Sequence, residues 1–157
     1  MKIRNAIKHD APAILRLIKE LALFENEPEA VKTTEEDIIR DGFGDNPYFN
    51  CIVAEKDGDV LGMAIYYFCW STWTGRPSMF LEDLYVQESQ RGSGMGLALL
   101  KECAKIAVSK NCARFEWEVL DWNQGARDFY HKLGAHHMDG WLPYRLDGDK
   151  LQSFASS

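Results

Sequence analysis

Three stretches of the chain carry residue types that could do chemistry. The first is Phe80-Leu81-Glu82-Asp83-Leu84-Tyr85-Val86, an apolar run interrupted by two carboxylates, followed by Gln90-Arg91-Gly92-Ser93-Gly94-Met95-Gly96-Leu97. It reads as a strand, a glycine-rich turn and the immediate start of a helix. The first amides of a helix have no intrahelical partner, and the macrodipole adds partial positive charge there. Glycine lets a ligand approach the backbone closely, so the turn suits a pyrophosphate, with Arg91 adding a full charge at its mouth. Glu82 and Asp83 could accept a proton. Neighbours on a regular strand point to opposite faces, however, so both serve one site only if a bulge intervenes.

The second stretch is Arg114 to Leu120, where Glu116 and Glu118 alternate with Phe115, Trp117 and Val119. Two carboxylates then share one strand face, which attracts a cation if it lines a cleft and is a solvated row if it does not. The third holds Asn123, a helix cap by type, and Tyr130, which shares an apolar stripe with Ala126, Phe129 and Leu133 and by spacing alone reads as a core tyrosine.

Motif rules narrow the phosphate ligand. A Walker A loop ends in Gly-Lys-Ser/Thr, which is absent. A dinucleotide fingerprint needs glycine or alanine where Leu97 stands; Glu116 does lie about twenty residues on, as that fingerprint wants, but several strands precede the turn. The residues alone leave two readings, a diphosphate cradle and a helix entry that needs glycine only for its turn.

The elements that must position these residues are legible from periodicity. Lys2 to Ala6 alternates as a strand. Asp10 is a candidate N-cap with Pro12 in the first turn, and Ile14, Leu17, Ile18 and Leu21 carry a helix to about Phe24. Thr33-Thr34-Glu35-Glu36 offers a capping box for a short second helix closing near Asp41-Gly42. Strands are expected at Phe49 to Lys56, Val60 to Trp70 and Ser78 to Val86, the first two joined through Asp57-Gly58-Asp59. A helix from Leu97 to Lys110, a strand from Arg114 to Leu120 and a helix from Gln124 to Leu133, ended by Gly134, follow. The tail with Tyr144-Arg145-Leu146 supplies closing strands and a short turn of helix. The expected fold is α/β (α+β), a mixed, mostly antiparallel sheet flanked by helices in the order β-α-α-β-β-β-α-β-α-β-β, and residues 1–157 read as one domain.

With 24 acidic against 18 basic side chains and a net charge of -6, the composition argues against nucleic acid and anionic membrane surfaces as partners and leans towards cationic small molecules. No apolar stretch is long enough to span a bilayer, and the start of the chain lacks a secretory apolar core. Cys51, Cys69, Cys103 and Cys112 are widely spaced, and His136-His137 is not a metal motif, so reduced thiols, no metal and a cytoplasmic location are expected.

Arg91-x-x-Gly94-x-Gly96 after an acidic strand resembles the coenzyme A signature of the GNAT superfamily of N-acetyltransferases. The chain is similar to its diamine (spermidine/spermine-type) and thialysine acetyltransferase branch through Leu17-Ile18-Lys19-Glu20-Leu21-Ala22, Asp41-Gly42-Phe43-Gly44, Ile65-Tyr66-Tyr67-Phe68, Leu81-Glu82-Asp83, Leu120-Asp121-Trp122-Asn123-Gln124, Phe129-Tyr130 and Leu133-Gly134-Ala135. The likeness covers nearly the whole chain in order. It implies acetyl transfer from acetyl-CoA to a small primary amine, a thialysine or lysine-like amino acid, diamine or polyamine, and a homodimer.

The resemblance also implies roles. Coenzyme A would touch Leu84, Tyr85, Val86, Arg91, Gly92, Ser93, Gly94, Met95, Gly96, Leu97, Asn123, Gln124, Gly125, Ala126 and Tyr130. Glu82 would take the ammonium proton, directly or through water, and Tyr130 would be the acid for the departing sulfur. Phe24, Glu25, Glu82, Asp83, Glu116 and Asp139 would contact the acceptor; Phe24 stands where polyamine-acetylating relatives have tyrosine and matches the thialysine-preferring ones. A protein or peptide N-acetyltransferase and a non-catalytic coenzyme A sensor are the rival readings.

Overall fold

In the computed structural model, which describes residues 1–157, the alternating start of the chain becomes β1 (Lys2–Asn5), an edge strand. Residues 1–118 and 119–157 form two compact units. In the first, β1 is followed by β2 (Asn50–Lys56), β3 (Asp59–Ser71), β4 (Arg76–Val86) and β5 (Arg114–Trp117) in one sheet ordered β1-β2-β3-β4-β5. Every pairing is antiparallel except β4 with β5, which is parallel and is bridged by α3 (Met95–Ser109). The mixed, mostly antiparallel α/β sheet is the one expected.

One sheet face is closed by α1 (Ala11–Phe24) and α2 (Glu35–Phe43). Ala11, Ile14 and Leu17 of α1 and Ile38 of α2 bury against Cys51, Val53, Met63, Ile65 and Tyr85. Helix α3 contacts β2, β3 and β4 and buries Met95, Leu99, Leu100, Cys103 and Ala107. Gly62 on β3 permits that approach, because a Cβ there would meet Met95 Sδ at 3.1 Å, Leu99 Cδ1 at 3.2 Å and the Tyr85 carbonyl at 3.3 Å. No helix is long and apolar enough to cross a membrane.

Local chemistry departs from expectation in instructive places. Asp10 sits at the cap position of α1, but its carboxylate is taken by Arg4 (2.7 and 3.0 Å) and the Ile7 N–H (2.8 Å), and Arg4 also donates to Glu55 (2.7 Å). The capping box of α2 forms one residue later than the Thr33 to Glu36 spacing suggests, on Thr34 with Asp37 as its partner. α2 closes near Asp41-Gly42 as expected, its last residue being Phe43, and Gly42 is kept small by the Phe49 ring, since a Cβ would stand 2.5 Å from Phe49 Cζ. The β2–β3 hairpin turns through Asp57 (φ 55°) and Gly58 (φ 90°), the left-handed pair that a two-residue turn requires.

Residues 119–157 hold α4 (Gln124–Lys132), closed by Gly134 at φ 90°, and α5 (Gly148–Ala155). The closing strands expected around Tyr144-Arg145-Leu146 are absent, and the short turn of helix is the full α5. A strand exists only when a partner pairs with it, and Pro143 removes a donor from that stretch. β5 likewise stops at Trp117 rather than running to Leu120.

Candidate functional site

β4 pairs with β5 from Ser78 opposite Arg114 to Leu81 opposite Trp117, and there β5 ends. β4 runs on to Val86 with β3 as its strand partner, so from Glu82 to Val86 its other backbone edge pairs with no strand. At the same point Ile65 faces Asp83 while Tyr66 faces Leu81, leaving Glu82 as the extra residue of a β-bulge. A bulge bends a strand and re-aims its side chains. The condition under which Glu82 and Asp83 can serve one site is therefore met.

The turn after β4 is ordered by a 3-10 segment, Glu88–Gln90, and by Ser93, whose N–H and hydroxyl both donate to the Gln90 carbonyl (3.3 and 2.6 Å). Gly92 and Gly94 take φ of 77° and 84°, and a Cβ on either would meet nothing within 4 Å, so both face open space. Gly94 is the N-cap of α3 and supplies no side-chain cap; the first intrahelical bond runs from the Ala98 N–H to the Gly94 carbonyl at 3.0 Å. The N–H groups of Met95, Gly96 and Leu97 precede that bond and are the helix's orphan donors. An uncapped, open helix N-terminus behind left-handed glycines fits the diphosphate of coenzyme A. The Tyr85 and Met95 side chains, 7% and 1% exposed, belong to the core, so only their backbones can meet a ligand. The Arg91 guanidinium lies over the Phe24 ring, 4.7 Å from its centroid, and 5.8 Å from that of Tyr85.

Around the bulge the carboxylates act on one another. Burial pushes the Asp83 carboxyl up to about 6, and the charges of Glu82 and Glu25 add to the rise. Burial also raises the Glu25 carboxyl, at the C-terminal end of α1. Tyr67, which periodicity offers only as part of an apolar run, has its phenol raised by burial and by the neighbouring Glu82 charge, with Glu118 contributing less. The signal that could have singled it out is a hydroxyl inside an otherwise apolar aromatic strand. Glu116 is half-buried on β5 opposite Phe80, and Glu118 lies exposed just past the strand end. A set of carboxylates around one opened strand edge can hold an ammonium group and accept its proton.

Within residues 119–157, Asn123 Oδ1 caps α4 by accepting from the Ala126 N–H at 3.2 Å. Gln124 donates to Asp128 at 2.7 Å, so its amide is engaged within the helix, whereas Gly125 faces open space. Tyr130 packs against Phe129 with ring centroids 5.5 Å apart, and burial raises its phenol, which keeps it protonated at neutral pH. Asp139 pairs with His137 at 3.0 Å on an exposed surface.

Comparison with known proteins gives concordant results. The family model described as the acetyltransferase (GNAT) family matches residues 13–135. The thialysine N-epsilon-acetyltransferase of Mus musculus is 42% identical, covering 98% of this chain and 96% of that protein. The spermidine/spermine N(1)-acetyltransferase-like protein 1 of Homo sapiens is 39% identical over 98% of this chain, which corresponds to 24% of that longer protein. Among solved structures, an integron cassette protein of V. cholerae superimposes with a TM-score of 0.84 at 29% identity, covering 99% of this chain and 98% of that one.

Proposed function

The chain belongs to the acetyltransferase (GNAT) family, and from that premise we propose that it moves an acetyl group from acetyl-CoA to the primary amine of a small cationic acceptor of the thialysine, lysine-like, diamine or polyamine kind. The observation that carries this reading is the pairing of an uncapped α3 N-terminus with a bulged, half-unpaired β4 that bears carboxylates. The names of the similar proteins, thialysine and spermidine/spermine acetyltransferases, support the acceptor class.

Bound acetyl-CoA supplies an acyl thioester, in which a C–S bond is exchanged for a C–N bond. The N–H groups of Met95, Gly96 and Leu97, with Arg91, hold the diphosphate, and the free edge of β4 from Leu84 to Val86 offers donors to the pantetheine and the acyl oxygen. An alkyl ammonium of pKa about 10.4 must lose a proton before it attacks, which costs about 4 to 5 kcal/mol at pH 7. Glu82 accepts that proton, directly or through water, while Asp83 and Glu25 hold the cation in place. Tyr130 carries the proton that the departing thiolate takes. Glu116 and Asp139 are further acceptor contacts in this reading, Asn123 and Gly125 further coenzyme contacts, and the protein acts as a cytoplasmic homodimer.

A thiol-release assay with acetyl-CoA and a panel of thialysine, lysine, ornithine and spermidine tests the reading. Turnover of these amines is expected, with thialysine favoured over spermidine because Phe24 lacks the tyrosine hydroxyl. Coenzyme binding with no amine or peptide turned over would instead establish a sensor, and turnover of peptides alone a protein acetyltransferase.

A further inference from the structure

Phe24 is the last residue of α1 and 39% exposed, next to Glu25, whose charge is felt by Asp83, and so falls on the proposed acceptor side of the site. Its ring nevertheless carries the guanidinium of Arg91, the cation of the glycine turn, at 4.7 Å. Tyr85, fixed in the core at 7% exposure, lies 5.8 Å from the same guanidinium. A long, rotamer-rich side chain at the mouth of an exposed turn is thus ordered by aromatic rings before any anion arrives.

The geometry of a guanidinium makes that ordering useful. A guanidinium has five N–H donors, so one that lies over the Phe24 ring with the Tyr85 phenol beside it still keeps donors for a phosphate. A side chain already confined loses less freedom on binding, which strengthens the contact it makes. We infer that Phe24 is a positioning residue for Arg91, an aromatic platform at the end of α1 that presets the guanidinium for the diphosphate and so sets affinity for the coenzyme as well as contacting the amine. The inference rests on the coenzyme reading above. It means that a residue proposed to contact the amine also tunes the donor side.

The test is a double-mutant cycle read as the Kd for free coenzyme A, measured calorimetrically with no amine present. Phe24→Ala is expected to weaken binding about two- to fivefold, the range of a partly exposed cation–π contact. Phe24→Tyr, which keeps the ring, is expected to retain wild-type affinity. In an Arg91→Met background, itself weakened, Phe24→Ala is expected to have no further effect. Equal effects of Phe24→Ala in both backgrounds, or none in the wild-type background, would overturn the inference while leaving the coenzyme reading intact. Absence of coenzyme A binding by the unmodified protein would overturn that reading itself.

Discussion

At the scale of single residues, the site is built at a cost to the fold, and Asp83 locates that cost. Its carboxyl is pushed up to about 6 from an ordinary 3.8. A raised acid favours the folded state below the unfolded pKa, and that contribution is lost as pH rises through the folded value. Asp83→Asn is therefore expected to be more stable than the parent at pH 7.5, by up to about 3 kcal/mol, with the difference vanishing near pH 4. Denaturant unfolding across that pH range checks it, and an Asn variant no more stable at pH 7.5 would mean the carboxylate is already well solvated. Tyr130→Phe belongs to the same scale. Turnover should fall about a hundredfold or more while coenzyme A affinity holds, and unchanged turnover would return Tyr130 to the core. The carboxylates and the tyrosine are legible as residue types. That Asp83 is desolvated beside two other acids is not, because Glu25 is remote from Glu82 in sequence and only the fold brings its charge to bear.

At the scale of elements, the sequence announces helices and hairpins wherever the signal is local. The Asp57-Gly58 turn and the Asn123 cap form where their chemistry stands, and the α2 capping box forms one residue on, from Thr34 to Asp37. What escapes is what depends on a partner. The bulge at Glu82 is a matter of register between β3 and β4, and the length of β5 is set by where its pairing with β4 stops. The tail strands fail for the same reason, and the packing of the Phe49 ring on Gly42 is a contact that only the fold makes. The α3 helix owes its place to Gly62, so Gly62→Val should destabilise the fold by about 1 to 3 kcal/mol, since Met95, Leu99 and the Tyr85 carbonyl crowd the new side chain. The same variant should weaken coenzyme A binding, because Met95 opens the helix whose N-terminus is the proposed cradle. Unaltered stability in urea would show that α3 does not need so close an approach.

At the scale of the molecule, a family model, a relative at 42% identity and a superposition over 99% of the chain agree with the parts. An excess of acidic side chains, 24 against 18, suits the proposed cationic acceptor, while the proposed hold on the coenzyme's diphosphate rests on one local device rather than on net charge. That device, the orphan N–H groups at the start of α3 behind Gly92 and Gly94, is the centre of the account. A crystal structure with coenzyme A bound tests it most directly. The diphosphate oxygens should lie within hydrogen-bond reach of the Met95, Gly96 and Leu97 amides, with the thiol end directed along the free edge of β4 towards Glu82. A diphosphate lodged away from that helix start would contradict it.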